Sequence, residues 1–264
     1  KTSLLELESM THTLTHRGPD AFGVEEIGLT QCKVGLGHRR LSIIDLSAGG
    51  KQPMLFDKYW ICFNGEVYNY KEIKSELIKL GHSFKSSSDT EVVLHAFVEW
   101  GRPCLEKLIG MFAFVIVDIG KNQLFCARDR AGIKPFYYYF KDGLFLFGSE
   151  LKAFHEHERF DKRIDKNAVA AFMQYGNVPT PHCIFESCFK LKAGHFMEVS
   201  LESESDVRVS PKDQIQYWNV YDAYNKPKLD ISFDEAKIQT ESVLMDACNY
   251  RMVSDVPVGV FLSG

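Results

Sequence analysis

Residues 59–69 read Tyr-Trp-Ile-Cys-Phe-Asn-Gly-Glu-Val-Tyr-Asn, and this stretch decides the fold. The aromatic and apolar run at its start predicts a buried strand. The Asn64-Gly65 step that ends the run has two interpretations. Asn-Gly is the commonest two-residue hairpin turn, because both residues tolerate positive φ. Alternatively, the Asn64 side-chain amide and the Gly65 backbone N–H donate to one point and form an oxyanion hole beside a strand end.

Length and charge bound the class of protein. The chain has 264 residues, enough to bury a sizeable core in one large domain or two. Its formal charge of −4 argues against a nucleic-acid or anionic-membrane surface. In the sequence, no apolar run approaches the roughly 18 residues of a membrane span. We therefore expect neither a nucleic acid nor a membrane among its partners.

The cysteines and histidines show no pattern of a covalent framework or of a metal site. Seven cysteines are scattered through apolar or strand-like surroundings, with no C-x-x-C pair. Such an odd count argues against disulfides and zinc. The nine histidines show no metal spacing, so we expect no metal site in this chain. Reduced thiols, and a first segment that interleaves acids with leucines instead of forming a signal peptide, predict a cytoplasmic protein.

Upstream of the central stretch the sequence predicts a helix and then a strand. Apolar residues at helical spacing predict the helix within residues 1–15. From Val34 to Asp45 the chain alternates as a strand, with Arg39 and Arg40 in its middle. Successive residues point to opposite faces, so one arginine faces solvent and the other faces inward. An inward guanidinium suits a carboxylate, and the alternative is a charge that keeps an edge strand soluble.

Downstream, two helices are predicted. Residues 70–80 form an amphipathic helix that Gly81 ends at the C′ position. Ser88 and Glu91 have the spacing of a capping box at the start of the next helix. Asp89 then lies in the first helical turn, where the helix dipole favours a carboxylate. The functional alternative is that Asp89 receives the ammonium group of a ligand.

The densest β pattern follows. Four strands, paired as two hairpins, are predicted over residues 111–118, 124–128, 136–140 and 144–147. They are apolar at nearly every residue, which predicts a sheet covered on both faces. Arg128-Asp129-Arg130 is interpreted either as an ion-paired loop at a strand end or as a catalytic motif. A short helix is predicted at residues 166–175.

The C-terminal part of the chain changes character. Residues 202–230 are rich in Ser, charged residues and Pro, which indicates a boundary between domains. A helical pattern follows, with Ser232 and Glu235 spaced as a capping box. Residues 256–262 predict a buried strand that runs into Ser263-Gly264. Nucleotide-binding α/β domains begin a phosphate loop in this way.

A set of motifs in fixed order resembles one family, the glutamine-hydrolysing asparagine synthetases. The motifs are His16-Arg17-Gly18-Pro19-Asp20, His38-Arg39-Arg40-Leu41-Ser42-Ile43-Ile44-Asp45, Asn64-Gly65-Glu66-Val67-Tyr68-Asn69, Ser88-Asp89-Thr90-Glu91, Gly110-Met111-Phe112-Ala113-Phe114, Arg128-Asp129, Gly132, Pro135, Ser149-Glu150-Leu151-Lys152-Ala153, Ser254-Asp255-Val256-Pro257 and Leu262-Ser263-Gly264. The resemblance covers nearly the whole chain.

The resemblance implies roles for individual residues. The residues it assigns to glutamine are Arg40, Leu41, Ile43, Glu66 and Asp89. The residues it assigns to the oxyanion hole are Asn64 and Gly65. The residues it assigns to the pyrophosphate loop of a nucleotide are Leu262, Ser263 and Gly264. The residue types agree with these roles, because one cation and two carboxylates are what a zwitterionic amino acid needs, and paired donors are what its tetrahedral amide intermediate needs.

The resemblance also implies a fold and a domain order. The expected class is α+β, a four-layer α/β/β/α sandwich of the N-terminal-nucleophile hydrolase type, followed by the first helix and strand of a parallel α/β nucleotide-binding domain. Residues 1–205 are expected to form the glutaminase domain, residues 206–230 a linker, and residues 231–264 the beginning of an ATP-dependent synthetase domain.

The implied activity is glutamine hydrolysis that supplies ammonia to ATP-activated aspartate. ATP with Mg²⁺ is the expected cofactor; glutamine, aspartate or another carboxylate, and a second copy in a homodimer are the expected partners. One alternative is an amidotransferase of the same architecture that acts on a sugar carboxylate in surface-polysaccharide synthesis. Another is a glutamine-binding module without chemistry. The family's nucleophile is an N-terminal cysteine, whereas this chain begins at Lys1 and ends at Gly264, so we expect a fragment without the first strand.

Overall fold

The computed structural model describes residues 2–201 and 213–259. Its α-helices are α1 (Leu4–His12), α2 (Tyr70–Lys79), α3 (Asp89–Trp100), α4 (Cys104–Lys107), α5 (Lys166–Tyr175), α6 (Val220–Tyr224) and α7 (Phe233–Arg251). Its strands are β1 (Ala21–Gly28), β2 (Lys33–Arg40), β3 (Met54–Phe56), β4 (Tyr59–Val67), β5 (Gly110–Asp118), β6 (Gln123–Arg128), β7 (Tyr137–Lys141), β8 (Leu144–Gly148), β9 (Cys188–Lys190), β10 (His195–Ser200) and β11 (Ile215–Gln216).

Strand β4 continues through the Asn-Gly step, so the hairpin-turn interpretation is wrong. Asn64 lies opposite Ala113, and Gly65 lies opposite Phe112, within an uninterrupted antiparallel pairing with β5. Glycine is needed at position 65 for close approach between strands. A Cβ built there would overlap the carbonyl oxygen of Met111 and lie 2.7 Å from Phe112 Cα. Pairing with the neighbouring strand therefore sets the conformation of the Asn64-Gly65 step, and the local turn preference does not.

Strand β5 shows how the sheet comes to be covered on both faces. The sheet has the order β11-β10-β6-β5-β4-β3. Phe112 and Phe114 pack on one face into a core that includes residues of α2 and α3. Ala113 and Val115 pack on the other face into a core that includes Tyr138 of β7. Because side chains alternate along a strand, a strand that is apolar throughout contributes to two cores.

The second β layer consists of two small antiparallel sheets, the β1–β2 hairpin and the sheet of order β8-β7-β9. Its outer face is covered by α1 and by a 3-10 helix at Leu151–Glu156. There Met10 of α1 shares a core with Tyr139 and with Phe154 of the 3-10 helix. The layers therefore run from α2 and α3, through two β layers, to α1. This arrangement confirms the predicted α/β/β/α sandwich.

The C-terminal elements match the sequence prediction in part. Helix α7 begins with the predicted capping box: Ser232 N–H donates to the Glu235 carboxylate at 2.8 Å, and Glu235 N–H donates to Ser232 Oγ at 3.3 Å. Strand β11, within the stretch expected to be a linker, pairs with β10 at the edge of the large sheet. The predicted strand over residues 256–262 has no counterpart at positions 256–259, and its remainder lies outside the described residues.

Two further observations concern membranes and metals. Across residues 2–201 and 213–259, no helix combines the length and apolar content that a membrane span requires. In the same ranges no three His, Cys, Asp or Glu side chains are grouped to hold a metal ion. All seven cysteines lie in the described part of the chain, where none of them forms a disulfide, and Cys248 is exposed on α7.

Candidate functional site

A cavity of about 1200 Å³ lies between the two β layers. The residues that sequence analysis assigned to an amino-acid ligand and to the oxyanion hole all line it: Arg40, Leu41, Ile43, Asn64, Gly65, Glu66 and Asp89. They come from the end of β2, the end of β4 and the start of α3. The fold thus brings together residues that are up to 49 positions apart. The three residues assigned to the nucleotide loop, Leu262, Ser263 and Gly264, lie outside the described residues.

Arg40 ends β2 with its side chain buried, so it is the inward one of the two arginines. Its guanidinium donates to the carbonyl of Ser47 at 2.8 Å, to that of Ile44 at 3.3 Å, and to that of Asp45. These acceptors belong to one loop, which fixes the guanidinium in place. Because its described partners are neutral carbonyls, the positive charge of Arg40 remains available to a carboxylate ligand.

Asp89 is the first residue of α3 and is buried. The Val67 backbone N–H donates to its carboxylate at 2.9 Å. Burial raises the pKa of Asp89 to about 7, and the negative charge of Glu66 adds to this rise. Burial also raises the pKa of Glu66. Two carboxylates that are costly to ionise together are suited to a cationic ligand group, which stabilises both charges.

The predicted capping box at this helix start is wrong. Ser88 does accept a hydrogen bond, from Thr90 N–H at 3.2 Å. The Glu91 carboxylate instead accepts from the backbone N–H groups of Lys85 and Ser86, both at 2.8 Å. The chain before the helix folds back over the first turn and presents these two N–H groups to Glu91. Glu91 therefore anchors the loop that leads into Asp89.

Asn64 lies beside the carboxylates, on the face of β4 that meets the second β layer. Its side-chain Nδ2 donates to Ser149 Oγ at 3.3 Å, after the end of β8. Ser149 also lines the cavity. The bond to Ser149 is long and uses one of the two N–H groups of the Asn64 amide. The amide can therefore also donate to a developing oxyanion, beside the backbone of Gly65.

Lys134 is a cavity residue that sequence reasoning missed. Burial lowers the pKa of its ammonium, and the negative charge of Glu66 opposes that change. The cation therefore faces the same carboxylate that is expected to receive a ligand ammonium. The available signal was its position four residues after the flagged Arg128-Asp129-Arg130 motif.

That motif holds a loop in place, and its Asp129 is not paired with an arginine side chain. The buried Asp129 carboxylate accepts backbone N–H groups at four positions, which are Phe112 (3.2 Å), Ala131 (3.1 Å), Ile133 (2.9 Å) and Lys134 (3.0 Å). The Arg128 guanidinium donates to backbone carbonyls, Lys134 among them, at 2.7 Å. The ion-pair interpretation is wrong in its chemistry, because backbone groups satisfy both charges.

His38 also lines the cavity and was not among the site residues predicted from the sequence. Its Nε2 lies 3.1 Å from the carbonyl oxygen of Phe63, so Nε2 carries the proton and donates. Burial lowers the pKa of His38 to about 4. The ring is therefore neutral near pH 7. Its signal in the sequence was only the alternation of β2, which places it on the same face as Arg40.

Part of the cavity wall is apolar and is formed by residues of two strands. Its walls there include Val34 of β2 and Leu144 and Leu146 of β8. Among the described strands, β2 pairs only with β1, and β8 pairs only with β7. The cavity is therefore lined by residues of two strands that each have an edge without a partner among the described strands.

The layered sandwich and the position of its polar cavity define a protein of the N-terminal-nucleophile amidotransferase fold class. The chain belongs to the family described as glutamine amidotransferase domain, which matches residues 1–213. Two solved structures share the fold. One is glutamine phosphoribosylpyrophosphate amidotransferase from B. subtilis, with TM-score 0.53 and 19% identity over 75% of this chain and 45% of that chain. The other is an allosteric regulatory enzyme of purine biosynthesis, with TM-score 0.54 and 20% identity over 75% and 44% of the two chains.

Curated relatives match nearly the whole chain. Asparagine synthetase [glutamine-hydrolyzing] 3 of Bacillus subtilis is 38% identical over 98% of this chain and 40% of its own length. Putative asparagine synthetase [glutamine-hydrolyzing] 2 of Methanocaldococcus jannaschii is 38% identical over 98% of this chain and 51% of its own length. The chain thus spans about half or less of the length of these relatives.

Proposed function

We propose that this chain is the glutamine-hydrolysing part of a glutamine-dependent asparagine synthetase, in which released ammonia reacts with ATP-activated aspartate. The observation that carries the proposal is the convergence of a buried cation with two carboxylates, beside a side-chain amide, in one cavity. The aspartate acceptor is proposed from the names of the relatives. ATP with Mg²⁺, a homodimeric assembly and a cytoplasmic location complete the proposal and rest on the family resemblance.

The cavity matches glutamine group by group. Its α-carboxylate pairs with Arg40, and its α-ammonium lies between Glu66 and Asp89. These contacts direct the side-chain amide toward Asn64 and Gly65, which stabilise the negative oxygen that forms on attack. The binding contacts position the amide, and the oxyanion donors act mainly in the transition state.

The nucleophile is proposed to be a cysteine thiol on a strand that precedes Lys1 in the full-length protein. The apolar part of the cavity, between the edges of β2 and β8, has the position that such a strand would occupy. The α-amino group of that cysteine takes the thiol proton as sulfur attacks the amide carbon, and it returns the proton to the nitrogen, which leaves as ammonia. Water then hydrolyses the thioester to glutamate and the free thiol. Cys62 lines the cavity but is unsuited to this role, because burial raises the pKa of its thiol to about 12.

The test uses the full-length protein with glutamine, aspartate and ATP. Wild-type protein is expected to form asparagine from glutamine, and glutamate without ATP. Arg40→Ala leaves the carboxylate of glutamine unpaired, which costs about 2–5 kcal/mol and raises KM for glutamine at least about thirtyfold. Ammonia-dependent asparagine formation remains, because added ammonia bypasses the cavity.

The matched control is Lys107→Ala, which removes an exposed cation at the end of α4 that pairs with Glu76 at 2.8 Å and does not line the cavity. It should leave KM for glutamine unchanged. An unaltered KM in Arg40→Ala, or a wild-type protein that releases no glutamate from glutamine, rejects the proposal.

A further inference from the structure

The chain returns to the cavity after α7. The Asp255 backbone N–H donates to the Ile43 carbonyl at 2.9 Å. The Asp255 side chain accepts from the Asp45 backbone N–H at 2.8 Å. These two hydrogen bonds join segments that lie 210 positions apart, and they hold Ile43 and Asp45 from one residue. Local sequence patterns predict neither of these hydrogen bonds.

The clamped segment is the one that fixes Arg40. The peptide bond between Ile44 and Asp45 has its N–H bonded to Asp255, and its carbonyl oxygen accepts from Arg40 Nη2 at 3.3 Å. The next carbonyl, that of Asp45, accepts from the same nitrogen. A carboxylate at one end of this peptide and a guanidinium at the other align with its dipole. The two charges therefore reinforce both hydrogen bonds.

The conformation of the segment needs such support. Asp45 has φ +57°, in the left-handed region that non-glycine residues seldom adopt. Its side chain accepts from Ser47 N–H and from Ser87 N–H, both at 2.9 Å. Asp255 supplies a further contact, to the backbone N–H of Asp45 itself. Burial raises the pKa of Tyr70, and the negative charges of Asp255, Asp89 and Asp45 add to that rise.

Two other contacts seat the same part of the chain on α2 and its flank. Tyr250 donates its hydroxyl proton to the Glu72 carboxylate at 2.9 Å. The Arg251 guanidinium lies 5.5 Å from the ring centre of Tyr68. The Tyr250–Glu72 bond is exposed, whereas Tyr68 is buried, and neither contact involves Arg40 or the segment at residues 43–47. Val253 of the same part packs against the core that contains Ile44, and Asp255 makes the hydrogen bonds to the backbone of the segment that fixes Arg40.

We propose that Asp255 is a positioning residue for glutamine. From the part of the chain expected to open the synthetase domain, it holds the Ile43–Asp45 backbone so that Arg40 points its guanidinium at the substrate carboxylate. This inference rests on the proposed function. It adds that the glutamine site is completed by a residue beyond the amidotransferase domain match, which ends at residue 213.

The test compares Asp255→Ala with Asp255→Asn in the full-length protein. Glutamate release from glutamine without ATP gives KM and kcat, and ammonia-dependent asparagine formation reports the rest of the enzyme. Asp255→Ala should raise KM for glutamine about tenfold, with kcat and ammonia-dependent activity unchanged. Asp255→Asn should restore KM to within about twofold, because its amide oxygen still accepts from Asp45 N–H.

Tyr250→Phe is the matched control, because it removes a hydrogen bond of the same segment that does not reach Arg40. Its KM should equal that of the wild type. The inference is overturned if Asp255→Ala leaves KM unchanged, if Tyr250→Phe raises KM equally, or if Asp255→Ala lowers ammonia-dependent activity in parallel. Failure of the proposed function gives a different result, an unchanged KM in Arg40→Ala.

Discussion

Adding a single methyl group at Gly65 is a direct test of how closely strands β4 and β5 approach each other. In Gly65→Ala, the new Cβ would overlap the Met111 carbonyl oxygen and lie 2.7 Å from Phe112 Cα and 2.9 Å from Phe112 Cβ. Two of these three atoms are backbone atoms of the adjacent strand. No side-chain rotation can relieve the overlap, so β4 and β5 must move apart at the site itself.

The magnitude follows from two opposing effects. Replacing Gly with Ala where the backbone permits it stabilises a protein by about 0.4–1 kcal/mol, because the unfolded chain loses entropy. Overpacking a tight interior costs about 1–3 kcal/mol. At Gly65 the overlap with backbone atoms exceeds the entropic gain. Since 1 kcal/mol shifts Tm by about 2–4 °C in a domain of 150–250 residues, we expect the Tm of the transition that unfolds this domain to decrease by several degrees.

The assay is urea and thermal unfolding of the full-length protein, followed by circular dichroism. The matched control is Gly28→Ala at the end of β1, where an added Cβ has no atom within 4 Å among the described residues. Gly28→Ala should change stability by no more than about 0.5 kcal/mol. Equal stability of the two variants would refute the inferred approach of β4 to β5.

Three further outcomes are expected, each measured as kinetics of glutamine hydrolysis by the full-length protein. Gly50→Ala places a Cβ 2.7 Å from Arg40 Cζ, which displaces the guanidinium and raises KM for glutamine; an unchanged KM contradicts this. Asn64→Ala removes one oxyanion donor and lowers kcat by roughly a hundred- to a thousandfold; a loss of tenfold or less would assign Asn64 a structural role. Because the pKa of Asp89 is raised to about 7, KM should increase as pH falls below 7, and Asp89→Asn should weaken this dependence.

The raised pKa of Asp89 also has a consequence for stability. A group whose pKa is higher in the folded state than in the unfolded state favours folding most when it is protonated in both states. The contribution of Asp89 is therefore complete below its usual value of 3.8 and is lost as pH rises through about 7. Unfolding midpoints of wild type and Asp89→Asn across this range measure it, and a constant difference between the two proteins would contradict the assignment.

The sequence by itself determined the features that depend on neighbouring residues. The helix at Lys166–Tyr175 has the predicted bounds, and α7 begins with the predicted capping box, because both depend on contacts within one or two turns. The four-layer order was implied by the family resemblance. The apolar sequence of β5 agrees with that order, because it predicts a sheet that is covered on both faces. Arg40 and Asp89 were named from motifs, and both line the cavity.

Tertiary structure alone decided what depends on contacts between distant segments. The Asn64-Gly65 step has the local chemistry of a turn, and only pairing with β5 keeps it in a strand. Glu91 has the spacing of a capping residue, but the chain before the helix offers it two N–H groups. Asp255 contacts Asp45 across 210 positions, and no local signal records such a contact. A hydrogen bond depends on the distance between its atoms, and the folded chain sets that distance.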